Sequence, residues 1–171
     1  MSRKLVLVLV ALLVAALAAG VRPRAGDKPG AARATRTARV VHVVDGDTIR
    51  VLVGGREERV RYIGIDTPES VKEDTPVQCF AKRAATENAR LVAGRDVRLV
   101  PDVETRDRFG RLLAYVYRTD DGEMVNEALV RGGFARTLTI APNVRFAERF
   151  RQAARAARRS GLGLWSACES R

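Results

Sequence analysis

Three short β-rich runs follow one another between residues 39 and 65, and tight turns connect them. The stretch RVVHVVDGDTIRVLV holds two of these runs on either side of Asp45-Gly46-Asp47. An Asp-Gly pair between two such runs is a strong hairpin signal. A GGRE turn then leads into RVRYIGI, which is the third run. The pattern predicts an antiparallel meander of three strands at the start of the folded region.

The remaining segments alternate between helical and β-type patterns. Asp74 or Thr75 is expected to cap a first helix that has Pro76 at its first position. Gly94 is expected to end that helix. Two more strands and two more helices are predicted, in chain order, at DVRLVP, RLLAYVYR, GEMVNEALVRGG and NVRFAERFRQAARAARRSG. This order predicts an α+β fold, a five-stranded OB-fold β-barrel with three helices.

The first forty residues divide into two segments of different composition. Residues 1–20 combine a basic start with an apolar run that is short for a membrane span, which is typical of a signal peptide. Residues 21–39 are rich in Arg, Ala, Gly and Pro and are expected to form a basic flexible linker. The domain is expected at 40–171, secreted or extracytoplasmic, with an uncleaved signal anchor in the membrane as the alternative.

The charge of the chain indicates a polyanionic partner. Thirty-one Lys and Arg residues against 20 Asp and Glu residues give a net charge of +11. Nucleic acid, acidic lipid and acidic glycan all fit that charge, as does a generally arginine-rich proteome. His42 is the only histidine and neither cysteine has a partner at zinc-ligand spacing, which argues against a zinc site.

Cys79 and Cys168 are the only cysteines of the chain. An even number of cysteines in an exported protein favours a disulfide, because export exposes thiols to oxidising conditions. A bridge between them would tie the first helix region to the C-terminal tail. Two free, buried thiols remain the alternative.

Five charged residues from three segments suggest phosphodiester chemistry. Asp47 and Asp66 have the oxygen ligands that Ca²⁺ prefers, although an aspartate at a hairpin is also a common turn former. Arg61 and Arg111 have guanidinium groups that match phosphate oxygens. Glu69 is a candidate to orient or deprotonate an attacking water molecule. Together they would supply what hydrolysis of a charged diester requires.

One geometric condition applies to this set of residues. Strict strand alternation places Asp66 on the opposite face from Arg61. The two side chains can share a site only if the strand bends, bulges or ends near Gly64.

Several motifs in series resemble the thermonuclease, or staphylococcal-nuclease-like, family, and this chain looks like an exported member of it. The resemblance covers roughly residues 40–165. It implies an OB-fold barrel with three helices and a Ca²⁺-dependent nuclease that cuts DNA, RNA or both to 3′-phosphate products. The motifs that carry it are VVDGDT, RYIGIDTPES, DRFGRLLAYVY, VNEALVRGG and GLW.

The resemblance also implies residue roles. It places the catalytic residues at Arg61, Glu69 and Arg111, and the metal ligands at Asp47, Asp66 and the Thr67 backbone carbonyl. It places Arg108 and Phe109 in the substrate-binding region, where the family prototype has a lysine and a tyrosine.

The sequence departs from the family pattern around the substrate. An aromatic pair expected after the second helix is replaced by Thr139 and Ala141. The expected partner is DNA or RNA, and the chain is expected to be a monomer. A non-catalytic OB-fold module that binds nucleic acid is the alternative function.

Overall fold

The computed structural model describes residues 34–69 and 77–168. The predicted signal peptide, most of the predicted linker and the predicted helix start at residues 74–76 lie outside these residues. The strands are β1 (Arg36–Val43), β2 (Thr48–Val53), β3 (Arg56–Tyr62), β4 (Ile65–Asp66), β5 (Asp96–Val100), β6 (Leu112–Arg118) and β7 (Arg136–Thr137). The helices are α1 (Ala81–Val92), α2 (Val125–Arg131), α3 (Ala147–Arg159) and α4 (Leu164–Ala167).

Five strands close into a barrel in the order β1-β2-β3-β6-β5. The first three form the predicted antiparallel meander. Strand β3 then pairs in parallel with β6, while β5 pairs antiparallel with both β6 and β1 and closes the barrel. The predicted α+β fold with a five-stranded OB-type barrel is confirmed. The three predicted helices are present, and the described residues add the short α4 and a two-stranded sheet of β4 and β7.

The barrel interior is filled by alternate residues of its strands. In β2, Ile49 and Val51 are fully buried, while Arg50 and Leu52, which alternate with them, are exposed. Helix α3 contributes Phe150 to the core, and its ring packs edge-on against Tyr115 of β6. Within the described ranges, 34–69 and 77–168, no helix has the length and apolarity needed to cross a membrane.

Strand β1 begins earlier than the sequence indicated. The predicted linker extends to residue 39, but the strand starts at Arg36. Ala38 is buried and pairs with Val97 of β5. Residues 36–39 are therefore part of the barrel: they pair with residues 96–99 of the closing strand β5.

Helix α1 begins later than the sequence indicated. The helical pattern was expected to include Val77 and Phe80, but the helix starts at Ala81. Phe80 has a φ of 71°, which is left-handed backbone and incompatible with a continuing α-helix. Its ring instead packs against Phe134, 5.6 Å away, and Val77 is exposed.

A disulfide joins Cys79, just before α1, to Cys168 at the end of α4. Their Cα atoms lie 5.9 Å apart, and 89 positions separate them in sequence. The structure thus has the covalent connection between the first helix region and the C-terminal segment that the cysteine count favoured.

A bend at Gly64 ends the long third strand and starts a new one. Gly64 has a φ of 82°, in the left-handed region that favours glycine. After the bend, Ile65 and Asp66 leave the barrel and pair with β7 as strand β4. The bend is what brings Asp66 back to the side of the strand on which Arg61 lies.

Gly64→Ala is expected to destabilise the protein by about 2–5 kcal/mol. The added Cβ would lie 2.6 Å from the Phe150 ring, so crowding adds about 1–3 kcal/mol to about 1–2 kcal/mol of backbone strain. Gly122→Ala is the control, since Gly122 has a φ of 74° but open space around it. Urea denaturation measures both changes, and equal losses for the two variants would contradict the packing argument.

Candidate active site

The carboxylate of Asp47 lies at the start of β2 and is almost completely buried. Its Oδ2 accepts hydrogen bonds from the Thr67 backbone N–H at 2.8 Å and from the Thr67 hydroxyl at 3.0 Å. Its Oδ1 accepts a hydrogen bond from the Thr48 hydroxyl at 3.1 Å. A buried charge requires such partners, so Asp47 fixes the segment after β4 against the start of β2.

Arg61 lies near the end of β3 and bridges two carboxylates. Its Nε lies 3.1 Å from Asp47 Oδ1, and its Nη2 lies 2.8 Å from Asp66 Oδ1. Its Nη1 donates to the backbone carbonyls of Tyr62 and Ile65 at 2.8 and 2.9 Å. The last two contacts span the bend at Gly64, so the same turn positions the guanidinium group and one of its acidic partners.

The negative charge near Arg61 exceeds the one positive charge that Arg61 supplies. Burial raises the pKa of Asp66, as do the charges of Asp47 and Glu69, while Arg61 opposes the rise. Burial and the charge of Asp47 raise the pKa of Asp45 to about 6. These carboxylates repel one another, and a bound divalent cation would offset that repulsion.

Asp45 belongs to this acidic group, although its place in the sequence indicates only a hairpin turn. Its Oδ1 accepts a hydrogen bond from the Asp47 backbone N–H at 2.9 Å. The sequence signal for this second carboxylate was the Asp-Gly-Asp spacing, which puts Asp45 and Asp47 on the same tight turn. The Cβ of any residue larger than glycine at position 46 would collide with Thr67.

A polar cleft of about 230 Å³ contains all five residues that the sequence suggested for phosphodiester chemistry. We call it the acidic cleft, and it is lined by Asp45, Asp47, Thr48, Arg61, Asp66, Thr67, Pro68, Glu69 and Arg111. The structure therefore brings together Asp47, Asp66, Thr67, Arg61, Glu69 and Arg111 from segments up to 64 positions apart (111 − 47).

The oxygen-rich lining of the acidic cleft suits a hard cation such as Ca²⁺. In the described part of the chain, no three carboxylate, histidine or cysteine side chains are close enough together to hold a metal ion by themselves. A cation here would take Asp47 and Asp66 with the Thr67 carbonyl and water, which is compatible with the loose coordination of Ca²⁺.

Arg111 lies just before β6, where the preceding turn holds it. Its Nε donates to Asp107 Oδ2 at 2.6 Å, and its backbone N–H donates to Asp107 Oδ1 at 2.9 Å. Burial acts to raise the pKa of Asp107, but hydrogen bonds from Arg111 outweigh it and lower that pKa. Asp107 was not among the predicted site residues, and it orients the guanidinium group of Arg111.

A larger groove of about 810 Å³ adjoins the acidic cleft and shares Arg61 and Arg111 with it. Arg108 and Phe109 line this groove, and the guanidinium group of Arg108 lies 4.8 Å from the centre of the Phe109 ring. Phe109 is 69% exposed, which is unusual for a large apolar side chain. Exposed Ile140 also lines this groove, in the region where the sequence lacks the expected aromatic pair.

Comparison with known proteins identifies the family. The model of the staphylococcal nuclease homologue family matches residues 59–167. The thermonuclease of Staphylococcus hyicus is 42% identical over 131 residues, which is 77% of this chain and 76% of that protein. This chain belongs to the staphylococcal nuclease family.

Further relatives come from a second Staphylococcus species and from Bacillus subtilis. The thermonuclease of Staphylococcus intermedius is 42% identical over 126 residues, 74% of each protein. Endonuclease YncB of Bacillus subtilis is 39% identical over 125 residues, 72% of this chain and 58% of that protein. The resemblance to the staphylococcal nuclease family that the motifs carried is thus confirmed.

Asp107→Asn is expected to lower the free energy of unfolding by about 1–2 kcal/mol at pH 7. The folded state lowers the pKa of Asp107, so its contribution is present above its unfolded pKa and is lost as the pH falls below about 4. Urea denaturation should therefore show a difference in free energy of unfolding between the wild-type protein and Asp107→Asn at pH 7 that becomes smaller at pH 3.

Asp120→Asn is the control for that measurement. Asp120 pairs with Arg95 at the surface, where both side chains are about half exposed, so the expected loss is below about 1 kcal/mol. If Asp107→Asn lowers the free energy of unfolding by the same amount at both pH values, the charge-based explanation is contradicted.

Proposed function

We propose that this protein is a nuclease that hydrolyses phosphodiester bonds of DNA or RNA in the acidic cleft. Membership of the staphylococcal nuclease family and the named thermonuclease and endonuclease relatives support this function. The observation that carries the proposal for the site is the shared cleft, in which two guanidinium groups and four carboxylates line one cavity of about 230 Å³.

Arg61 and Arg111 are proposed to bind the scissile phosphate and to stabilise the charge that develops on it. Both line the acidic cleft and the groove, so a phosphate at the junction would meet both. Guanidinium groups keep their charge at any physiological pH and match two phosphate oxygens at once. The Asp107 contact uses Nε of Arg111, so the side chain is oriented before substrate binds.

Glu69 is proposed to act as the general base for an attacking water molecule. It lines the acidic cleft together with Asp47 and Asp66. Water would lose a proton to the Glu69 carboxylate while its oxygen bonds to phosphorus opposite the 5′-oxygen. The bond from phosphorus to the 5′-oxygen breaks, and the leaving oxygen takes up a proton, which gives a 3′-phosphate and a 5′-hydroxyl.

Ca²⁺ is the proposed cofactor. Asp47, Asp66 and the Thr67 carbonyl would hold it, and the raised pKa values of Asp45 and Asp66 support a site that a cation relieves. When bound, the ion would polarise a phosphate oxygen and offset the negative charge of the transition state.

Arg108 and Phe109 are proposed to bind the part of the substrate next to the scissile phosphate. The exposed ring of Phe109 offers a surface on which a base can stack. Arg108 adds a positive charge in the same groove. The ring has no hydroxyl, so Phe109 would contribute stacking and apolar contact rather than a hydrogen bond to phosphate.

Export is proposed from the sequence of residues 1–20, with removal of that segment as a signal peptide and a signal anchor as the alternative. Residues 21–35 would act as a basic spacer up to the start of β1, and the secreted protein would act as a monomer. The disulfide between Cys79 and Cys168 supports an oxidising destination.

Cleavage of DNA and RNA by the purified chain is expected to require Ca²⁺. EGTA should lower the rate at least about 100-fold and added Ca²⁺ should restore it, because the acidic cleft repels a phosphate without a cation. Gel assays on single- and double-stranded DNA and RNA measure this. Asp66→Asn should raise the Ca²⁺ concentration needed, whereas the surface control Asp96→Asn should not.

Two outcomes of this assay would overturn parts of the proposal. Cleavage that continues in EGTA would remove the Ca²⁺ requirement. Salt-sensitive binding of nucleic acid with no cleavage under any of these conditions would favour the non-catalytic binding module.

A further inference from the structure

The backbone of Glu69 is held on both sides by one residue, Gln78. The Glu69 N–H donates to the Gln78 side-chain Oε1 at 2.9 Å. The Gln78 backbone N–H donates to the Glu69 carbonyl at 3.0 Å. Glu69 and Gln78 are nine positions apart, so this pair of hydrogen bonds fastens Glu69 of the acidic cleft to the segment just before α1.

Gln78 itself has little packing to hold it. Residues 77–79 are all exposed, and α1 begins only at Ala81. One hydrogen bond links this segment to the helix across the left-handed backbone of Phe80: the Ala81 N–H donates to the Gln78 carbonyl at 3.1 Å. Its position therefore depends on contacts other than burial in the core.

The disulfide supplies that contact at the next residue. Cys79 is bonded to Cys168, at the C-terminal end of α4. Helix α4 is anchored to the domain by Leu164, which is fully buried and donates its backbone N–H to the Gly133 carbonyl at 2.8 Å. Gly163 lies so close to Gly133 that neither position has room for a Cβ.

The disulfide also forms a wall of a crevice behind the acidic cleft. This crevice, of about 180 Å³, shares Asp66, Thr67 and Pro68 with the acidic cleft and is also lined by Gln78 and the two cysteines. The connection thus runs from the anchored α4 through the disulfide to Gln78 and from there to the backbone of Glu69.

We propose that Gln78 is a positioning residue for Glu69 and that the Cys79–Cys168 disulfide makes turnover depend on redox state. The inference rests on the proposed function of Glu69 as general base. A dithiol reductant would donate two electrons and two protons to the bridge, giving two cysteine thiols and the oxidised cyclic disulfide of the reductant. Gln78 would then lose its covalent support, and the Glu69 carboxylate would lose its fixed distance from the phosphate.

The acidic cluster itself would not be disturbed by reduction. Asp47 and Arg61 are held by Thr48, Thr67 and backbone carbonyls, none of which belongs to the segment at residues 77–79. A small misplacement of a catalytic group can cost about 100-fold in rate. The expected signature is therefore a fall in kcat with little change in KM or in the Ca²⁺ requirement.

The first test compares Gln78→Ala, with the disulfide intact, to the wild-type protein. We expect kcat to fall about 10- to 100-fold, with KM changed less than about threefold. Gln78→Glu keeps an acceptor oxygen for the Glu69 N–H and should restore most of the rate. Gln152→Ala, the matched surface control on α3, should cleave at the wild-type rate. An unchanged kcat in Gln78→Ala would overturn the proposal.

A double-mutant cycle separates positioning from a general structural effect. If Gln78 acts through Glu69, then Gln78→Ala should have almost no further effect in a Glu69→Gln protein. A full additional loss there would overturn the positioning role of Gln78. A Glu69→Gln protein that cleaves at the wild-type rate would instead contradict the proposed function of Glu69, so the two failures are distinguishable.

The redox step is tested by incubating the wild-type protein with dithiothreitol at 10 °C and by the variant Cys79→Ser/Cys168→Ser. Near-ultraviolet circular dichroism measures the folded fraction, because a bridge across 89 positions also stabilises the fold as a whole. Per folded molecule, kcat should fall by about the factor seen for Gln78→Ala, and reoxidation of the wild-type protein should restore it.

Two results would contradict the redox dependence. One is a reduced, folded protein that keeps the full kcat. The other is a loss of activity that only follows the loss of folded protein, since the bridge would then be a general staple rather than a support for Glu69. In that case Gln78→Ala, which keeps the bridge, still decides the positioning role.

Discussion

The carboxylate of Asp47 is the contact on which the rest of the site depends. It is buried and accepts hydrogen bonds from Thr48 and from both the backbone and the side chain of Thr67. It also forms an ion pair with the guanidinium group of Arg61. Through these contacts one charge joins the start of β2, the end of β3 and the segment after β4. Removing one partner of such a buried group is costly, so the geometry of the site and the stability of the barrel are coupled.

Most of the barrel could be predicted because its strands carry local signals. The Asp-Gly turn before Thr48 and the alternation of Ile49 and Val51 are readable from neighbouring residues alone. The start of α1 could not be predicted in this way. Pro76 is a good first residue of a helix, but the helix begins at Ala81, after a left-handed Phe80 whose ring packs on a residue distant in sequence.

The candidate site shows the same division between local and distant information. Residue type and spacing suggested Arg61, Glu69 and Arg111; all three line one cleft, and their catalytic roles stay predictions. The residues that orient them were missed. Asp107 and Gln78 are ordinary surface types in the sequence, and only the folded chain shows that one binds Nε of Arg111 while the other holds the backbone of Glu69.

The most direct test of the central claim, that Arg61 and Arg111 act on one phosphate, is a double-mutant cycle on the single-turnover cleavage rate of a short DNA duplex. Groups that act together on one transition state give strongly non-additive losses. The account predicts that the protein carrying both Arg61→Ala and Arg111→Ala is within about tenfold of the slower single variant. Losses that multiply would place the two arginines at independent sites and contradict the account.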